Sequence, residues 1–227
     1  WEVSVIPENR NALAFWRNIV SDFTGGKYGD EIKDVDFDAH QPKRCVLSFD
    51  TKEYLKLYPS DAVIRQAVTH DIPVIVESFA QHHWPKPSST FEKYLQEQYT
   101  SERLIWVAHV QNQFVGYITL KWQSNYRPFR MNKIPEIMDL NVLPPFRKRG
   151  IGSKLLEIAE TAASEQSNVV GIGVGLYDGY GEAQKLYIKR GYIPDGRGIT
   201  YNYEPIVPGS TITLDDDLVL WFTKKLK

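Results

Sequence analysis

Cysteine is nearly absent from this sequence, because Cys45 is the only one among its 227 residues. A single cysteine cannot form an internal disulfide, which excludes a disulfide-stapled domain and leads us to expect a reducing compartment such as the cytoplasm. Cys45 stands in the apolar run CVLSF, which predicts a buried small side chain. Long apolar runs are also missing, and none approaches the roughly 20 residues that span a bilayer.

A strong excess of either charge is missing as well. The formal net charge is -1, which gives no general attraction to nucleic acid or to an anionic membrane, so neither partner is expected. A metal site is not expected either. His82 and His83 are adjacent and therefore point apart, and no carboxylate or cysteine follows them at ligand spacing.

The chain is rich in apolar residues, at 42%, which is enough to form the core of one large or two small domains. The stretch from Glu136 to Glu165 organises the expected fold. An apolar run over 137–143 predicts a strand that ends at Pro144. Apolar residues at three- and four-residue spacing from Leu155 to Ala162 predict a helix.

The turn between this strand and this helix has the chemistry of a phosphate-binding site. The first N–H groups of a helix lack intrahelical partners, and the helix dipole favours an anion there. Gly150 and Gly152 would let the backbone approach a diphosphate, and Arg147 and Arg149 add positive charge. The order of residues fits neither a Walker loop nor a GxGxxG dinucleotide fingerprint. A basic helix N-terminus that binds nothing remains the alternative.

The pattern RxxGxG after a strand resembles the main motif of the GNAT superfamily of acetyl-coenzyme A (acetyl-CoA) dependent N-acetyltransferases. The following strand VVGIGVGL and the helix GEAQKLYIKR, which ends at Gly191, continue in the order of that family. The resemblance implies an α/β (α+β) fold with a mixed, mostly antiparallel sheet. Its fourth and fifth strands would be parallel and splayed, with helices on both sides.

The resemblance also divides the chain. Residues 61–227 are expected to form a complete GNAT domain, and 51–60 a linker. Residues 1–50 read as strand, helix and strand, with a polar acidic link before the last strand, and they resemble the C-terminal third of a second GNAT domain. This predicts a tandem protein whose first domain is partial here. An unrelated N-terminal extension is the alternative. Exposed strand edges in such an incomplete unit make a homodimer an expectation.

The cofactor contacts follow from the resemblance. Pantetheine is implied to enter between the splayed strands and to pair with the backbone of the fourth strand, and the pyrophosphate to contact the turn. The residues implied are Leu140, Asn141, Val142, Leu143, Arg147, Lys148, Arg149, Gly150, Ile151, Gly152 and Ser153.

Acetyl transfer to a protonated amine requires a base, an oxyanion donor and a proton for the departing thiolate. Glu136 is the predicted base, because it precedes Arg147 at the spacing of the catalytic glutamate in several family members, and burial would raise its pKa. Asp139 is the second choice, although strand alternation places it on the opposite face unless a bulge intervenes. The backbone N–H near Val142 is the candidate donor. A structural role for Glu136 is the alternative.

Tyr187 is the predicted acid, because it occupies the LYxxxG position of the family's thiolate-protonating tyrosine. A core aromatic is the alternative. Tyr180 and Gly181 depart from the asparagine that the family often carries early in this helix. Candidate substrate contacts are Asp139, Tyr177, Asp178, Arg127 and Arg130, the last two in a basic, aromatic loop over 125–133.

The predicted function is an N-acetyltransferase that moves an acetyl group from acetyl-CoA to a primary amine of a small molecule or peptide. A non-catalytic acyl-CoA sensor or assembly module is the alternative. Both would retain the glycines of the turn, whereas Glu136 and Tyr187 together favour the enzyme.

Overall fold

A computed structural model describes residues 2–24, 26–35, 38, 40–49 and 62–226. The predicted linker over 51–60 therefore lies outside the described residues. The chain divides into two compact units, Trp1–Ser60 and Asp61–Lys227, here called unit 1 and unit 2. None of the helices in the described part combines the length and the apolar character that a membrane crossing requires.

Unit 1 is a small antiparallel sheet with one helix. Its elements are β1 (Glu2–Val5), α1 (Arg10–Thr24), β2 (Gly29–Asp34) and β3 (Lys43–Ser48), and β3 lies between the other two strands. Val20 of α1 packs on Cys45 and Leu47 of β3, so the cysteine is buried as predicted. The polar link expected before β3 is wrong in part, because it contains β2. That edge strand is held by backbone pairing and has no buried residue for a pattern to reveal.

Unit 2 is built on one sheet of eight strands in the order β10-β9-β11-β8-β7-β6-β5-β4. Its strands and helices, in chain order, are β4 (Val63–Gln66), α2 (Asp71–Gln81), α3 (Ser88–Tyr99), β5 (Arg103–Val110), β6 (Gln113–Lys121), α4 (Arg127–Met131), β7 (Glu136–Val142), α5 (Ile151–Ser164), β8 (Val169–Gly175), α6 (Gly181–Lys189), β9 (Ile193–Tyr201), β10 (Glu204–Pro205) and β11 (Leu218–Lys225). Among the described strands, only β7 and β8 pair in parallel. The mixed, mostly antiparallel sheet is thereby confirmed.

Helices cover both faces of this sheet. On one face, Leu155 and Leu156 of α5 and Tyr187 of α6 pack against strand residues that include Ile137. On the other face, Phe79 of α2 and Phe91 of α3 pack against residues that include Tyr117. Apolar side chains that alternate along β5 and β6 supply both cores.

The basic loop predicted over 125–133 contains a short helix, α4, which the sequence reading missed. Pro128 lies in the first turn, where its missing N–H costs nothing, and Phe129 is buried against Tyr126 and Trp221. Tertiary packing of these rings therefore fixes a segment whose composition resembles a loop.

The connectivity of unit 1 matches the last part of unit 2. In unit 1 a strand and a helix precede two antiparallel strands, and in unit 2 β8 and α6 precede β9, the two-residue β10 and β11. In both units the last strand lies between the first strand and the strand that follows the helix: β1-β3-β2 in unit 1 and β8-β11-β9 in unit 2.

Candidate active site

The sheet of unit 2 opens between β7 and β8. The two strands pair only at Glu136 with Gly171 and at Ile137 with Ile172, so the rest of β7 is not bonded to β8. The Leu143 N–H donates to Val115 O on the β6 side at 2.9 Å. Because neighbouring backbone groups point to opposite sides of a strand, the N–H and C=O of Val142 face the gap.

A β-bulge in β7 changes which side chains face each side. The register slips between Tyr117 and Thr119, and Asp139 has a φ of 52°. The bulge places Asp139 on the same face as Glu136 rather than on the opposite one. There its Oδ2 accepts a hydrogen bond from the Tyr94 hydroxyl of α3 at 2.6 Å.

Tyr94 is itself held in place by buried charge. The Arg103 guanidinium lies 4.2 Å from the Tyr94 ring centroid and forms an ion pair with Glu97. A second bond, to the Thr119 hydroxyl at 2.7 Å, fixes the other side of the guanidinium. The Asp139 carboxylate is therefore supported by a connected network rather than by one flexible partner.

Glu136 is almost completely buried, with 3% of its surface exposed. Its Oε2 accepts a hydrogen bond from the Ser124 hydroxyl at 2.5 Å. Burial raises the pKa of Glu136 to about 7, although the Ser124 hydrogen bond acts in the opposite direction. A carboxyl group with such a pKa can both accept and release a proton near neutral pH.

The turn after β7 forms an open helix N-terminus. Gly150 has a φ of 79°, a left-handed conformation that favours glycine, and α5 begins at the next residue. The first intrahelical bond joins the Lys154 N–H to Gly150 O, so the N–H groups of Ile151, Gly152 and Ser153 have no intrahelical partner.

The other residues of the turn lie close to the gap. Arg147 Nε donates to Val142 O at 3.0 Å, which ties the turn to the end of β7. A Cβ on Gly152 would lie 3.5 Å from Leu186 of α6, at ordinary contact distance. Gly152 therefore borders the gap, and crowding alone does not require glycine there. Lys148 has a φ of 61°, and Arg149 lies over the Phe146 ring.

Tyr187 of α6 lies on the other side of the gap and is 5% exposed. Burial, followed by the negative charge of Asp139, raises its pKa, so the phenol stays protonated. Gln184 of α6 donates to Gly175 O at 2.9 Å, a contact at the end of β8 that the sequence did not reveal.

The predicted substrate contacts fall in two places. The Tyr177 hydroxyl, at the end of β8, donates to Asp216 at 2.5 Å, and Asp178 begins the short helical turn that follows. Arg130 instead donates to the backbone carbonyl of Asn125 at 2.9 Å, and Arg127 starts α4. Contacts thus join Tyr177 to an acidic residue but do not bring the two arginines to it.

Several polar groups near the gap were missed by sequence reasoning, namely Tyr94, Ser124 and Lys86. Tyr180 also donates to Asp216, at 3.0 Å. These groups come from segments that are distant in sequence, and no spacing rule links them. Among the described residues, no group of three or more His, Cys, Asp or Glu side chains is arranged to hold a metal ion.

Comparison with protein families decides what this fold is. Residues 101–194 match the acetyltransferase (GNAT) domain model, and this range contains β7, the glycine turn, α5, β8 and α6. The chain carries a GNAT acetyltransferase domain. The resemblance in the RxxGxG turn is confirmed, and the domain is that of an acyltransferase. No curated protein sequence matches the chain significantly.

Solved structures show the same GNAT fold at low sequence identity. An N-acetyltransferase from Staphylococcus aureus is 18% identical, with a TM-score of 0.56, and the match covers 74% of this chain and 100% of the other. The structure of yncA from Salmonella typhimurium, solved with its cofactor acetyl-CoA, is 15% identical with a TM-score of 0.54, and the match covers 74% of this chain and 95% of the other. The ribosomal-protein-alanine N-acetyltransferase from Brucella melitensis is 19% identical with a TM-score of 0.53, and the match covers 72% of this chain and 99% of the other.

The GNAT fold binds acetyl-CoA, and the residues of this chain fit that ligand. A left-handed glycine precedes a helix whose first N–H groups are open, and a basic turn lies beside it. The backbone of β7 faces the gap next to this turn. A diphosphate and an amide-containing arm are the two ligand groups that such donors can bind.

Proposed function

We propose that this chain is an acetyl-CoA dependent N-acetyltransferase that acts on a primary amine of a small molecule or peptide. The observation that carries the proposal is the opening of β7 from β8 directly beside an uncapped helix N-terminus. The domain supplies the acyltransferase class, and the side chains around the gap supply the reaction type.

The cofactor would be held by the turn and by β7. The N–H groups of 151–153 and the basic side chains of 147–149 would bind the diphosphate. The backbone of 140–143 would bind the pantetheine arm, with the Val142 N–H directed at the gap. Arg147 already bonds Val142 O, so its guanidinium lies where these two parts of the ligand would meet.

Glu136 would act as the base. Its pKa of about 7 leaves a large ionised fraction at neutral pH, and Ser124 fixes its orientation. Because Glu136 is buried, the proton of the amine would reach it through water or through Asp139, which lies further along β7 on the same face. Asp139 would also attract the ammonium form of the acceptor.

Tyr187 would supply the proton that the sulfur needs when coenzyme A leaves. Its pKa is raised by burial, so the phenol is protonated throughout the working pH range. It lies on the α6 side of the gap, opposite the face that holds Glu136, so that acid and base would act from two sides of the thioester.

The test is binding and turnover measured on the same protein. Calorimetry should show coenzyme A binding, and labelled acetyl-CoA with a panel of amines, antibiotics and peptides should give acetylated product. Absence of binding would remove the proposal. Binding without transfer to any amine would favour the acyl-CoA sensor instead.

We infer separately that unit 1 is the C-terminal part of a second GNAT domain. The matching strand orders, β1-β3-β2 and β8-β11-β9, support this origin. The encoded sequence and the mass of the purified protein test it. A segment before residue 1 that contains a strand and a glycine turn would support a tandem protein, and an unrelated segment would contradict it.

A further inference from the structure

Lys86, in the segment between α2 and α3, places an ammonium group among aromatic rings. Its Nζ lies 4.5 Å from the Trp84 ring centroid, 5.3 Å from that of Phe79 and 5.9 Å from that of Tyr117. Within the part of the chain that the structure describes, no carboxylate lies within 4.0 Å of this Nζ. The ammonium therefore contacts ring faces rather than an ion-pair partner.

The position of Lys86 relates it directly to the gap. The ring of Trp84 also lies under the Arg147 guanidinium, at 5.8 Å, and Arg147 bonds the Val142 carbonyl that faces the opened strands. Phe79 and Tyr117 belong to the core on the face that carries Asp139. Lys86 thus lies beside the end of β7, on the face from which Glu136 and Asp139 act.

The electrostatic surroundings favour a reactive amine. Burial lowers the pKa of Lys86, and the negative charges of Asp139 and Asp216 oppose that effect without cancelling it. A larger fraction of neutral amine is therefore present than for an exposed lysine.

We propose that Lys86 is a self-acetylation site, where the domain transfers an acetyl group to its own side chain. The inference rests on the proposed function, because the donor is the acetyl-CoA bound in the gap. Neutral Nζ attacks the thioester carbonyl, the N–C bond forms and the C–S bond breaks. The surplus amine proton passes to Asp139 and on to solvent. The sulfur leaves as the thiol after taking a proton from Tyr187, and the phenol regains its proton from solvent.

Acetylation would change the charge of the acceptor side. The modified side chain keeps its alkyl stem among the rings but loses its positive charge. Asp139 and Asp216 then lose a neighbouring cation, so a cationic acceptor would bind more tightly to the modified enzyme. Self-acetylation would therefore tune the same site toward ammonium-bearing substrates.

The experiment incubates the full chain with acetyl-CoA in the absence of other amines and follows intact mass and peptide maps. We expect one acetyl group, on Lys86, at a rate independent of protein concentration because the reaction is intramolecular. Lys93 is the matched internal control, since it lies on α3 with its side chain 73% exposed. Lys86 should react at least about tenfold faster, because a tethered amine has a high effective concentration.

Variants and a competitor separate catalysis from chemical reactivity. Lys86→Arg should abolish the modification, whereas Lys93→Arg should retain it. Excess coenzyme A should suppress it, because coenzyme A occupies the gap, whereas spontaneous acetylation would continue. If coenzyme A binds and added amines are acetylated while Lys86 reacts no faster than Lys93, the inference is wrong and the proposed function stands. If coenzyme A does not bind, both fall.

Discussion

Each face of the unit 2 sheet buries one glutamate, and the two have opposite surroundings. Glu136, beside the gap, is 3% exposed and has one hydroxyl partner, and burial raises its pKa to about 7. Glu160 of α5, on the other face, is 7% exposed and bonded to Arg190 and Lys224, each at 2.7 Å. Burial alone would raise the pKa of Glu160, but the two cations outweigh it and lower the pKa.

This difference separates a structural carboxylate from one prepared for proton transfer. Glu160 remains ionised because both of its oxygens have cationic partners. Glu136 lacks such a partner among the described residues, so its charge is costly and its proton is exchangeable near neutral pH. A buried carboxylate without a cation is thus the group to test for catalysis.

The largest expected effect is on the rate of Glu136→Gln. The amide keeps the shape and can still accept from Ser124, but it cannot take a proton. We expect kcat to fall roughly 100- to 10,000-fold, the range for a lost general base. Coenzyme A affinity, measured by calorimetry, should change little. An unchanged kcat would assign the base to Asp139 or to water.

The pH dependence of the rate of the protein without substitutions tests the same assignment. The rate should rise with pH through about 7 as Glu136 ionises. Ser124→Ala removes the hydrogen bond that opposes the effect of burial, so its rate limb should move to higher pH. A limb that stays in place in Ser124→Ala would mean that another group controls it.

The second effect is on stability, in Glu160→Gln. The change leaves Arg190 and Lys224 without a buried anion, and we expect a loss of roughly 3 kcal/mol in the free energy of unfolding at neutral pH. The folded-state pKa of Glu160 is lowered, so its contribution is present at neutral pH and disappears as the pH falls through that pKa. Urea denaturation at neutral and acidic pH measures both values.

Glu136→Gln should change the free energy of unfolding in the direction opposite to Glu160→Gln. The folded-state pKa of about 7 lies above the ordinary value of 4.5, so the folded state binds the proton more tightly than the unfolded state does. The bound proton therefore stabilises the folded state fully below pH 4.5, and this stabilisation is lost as the pH rises through about 7. Glu136→Gln avoids this loss and should be more stable than the parent at pH 8, by up to about 3 kcal/mol.

Much of this comparison could be predicted from sequence, because it depends on local pattern. The strand, the RxxGxG turn and the helix follow from apolar spacing and from two glycines, and they lead to the correct family. The burial of Glu136 was expected for the same reason, since apolar neighbours flank it in β7.

The remaining contacts depend on tertiary structure. The bulge at Asp139 places its side chain on the sheet face opposite to the one that strand alternation predicts. No residue type in the segment MDLNV indicates a bulge. Tyr94, Ser124 and Asp216 approach the gap from other elements. The helix α4 was missed because ring packing of Tyr126 and Phe129, rather than helix propensity, stabilises it.

Two neighbouring tyrosines extend the comparison to phenols. Burial raises the pKa of both phenols. The next largest cause is the charge of Asp139 for Tyr187 and that of Glu160 for Tyr192, whose ring centroid lies 5.9 Å from that of Tyr187. Tyr187→Phe should lower kcat on the order of 100-fold with little change in coenzyme A affinity. Tyr192→Phe is the matched control and should keep its rate. Equal rate losses in both variants would indicate a packing defect instead of a lost acid.

The smallest expected effects come from substitutions at the two glycines of the turn. As with the two glutamates, one residue has a structural role, here Gly150, and the other, Gly152, borders the gap. Gly150→Ala places a Cβ at a φ of 79° and should cost about 1 kcal/mol in urea denaturation. Gly152→Ala should be nearly neutral, because its Cβ would meet Leu186 and Val142 at 3.5 and 3.9 Å. Gly152→Val would extend further between these two side chains, into the path that we propose for the pantetheine arm. We therefore expect it to weaken coenzyme A binding in calorimetry by more than it weakens the fold, and the reverse order would mean that the arm enters elsewhere.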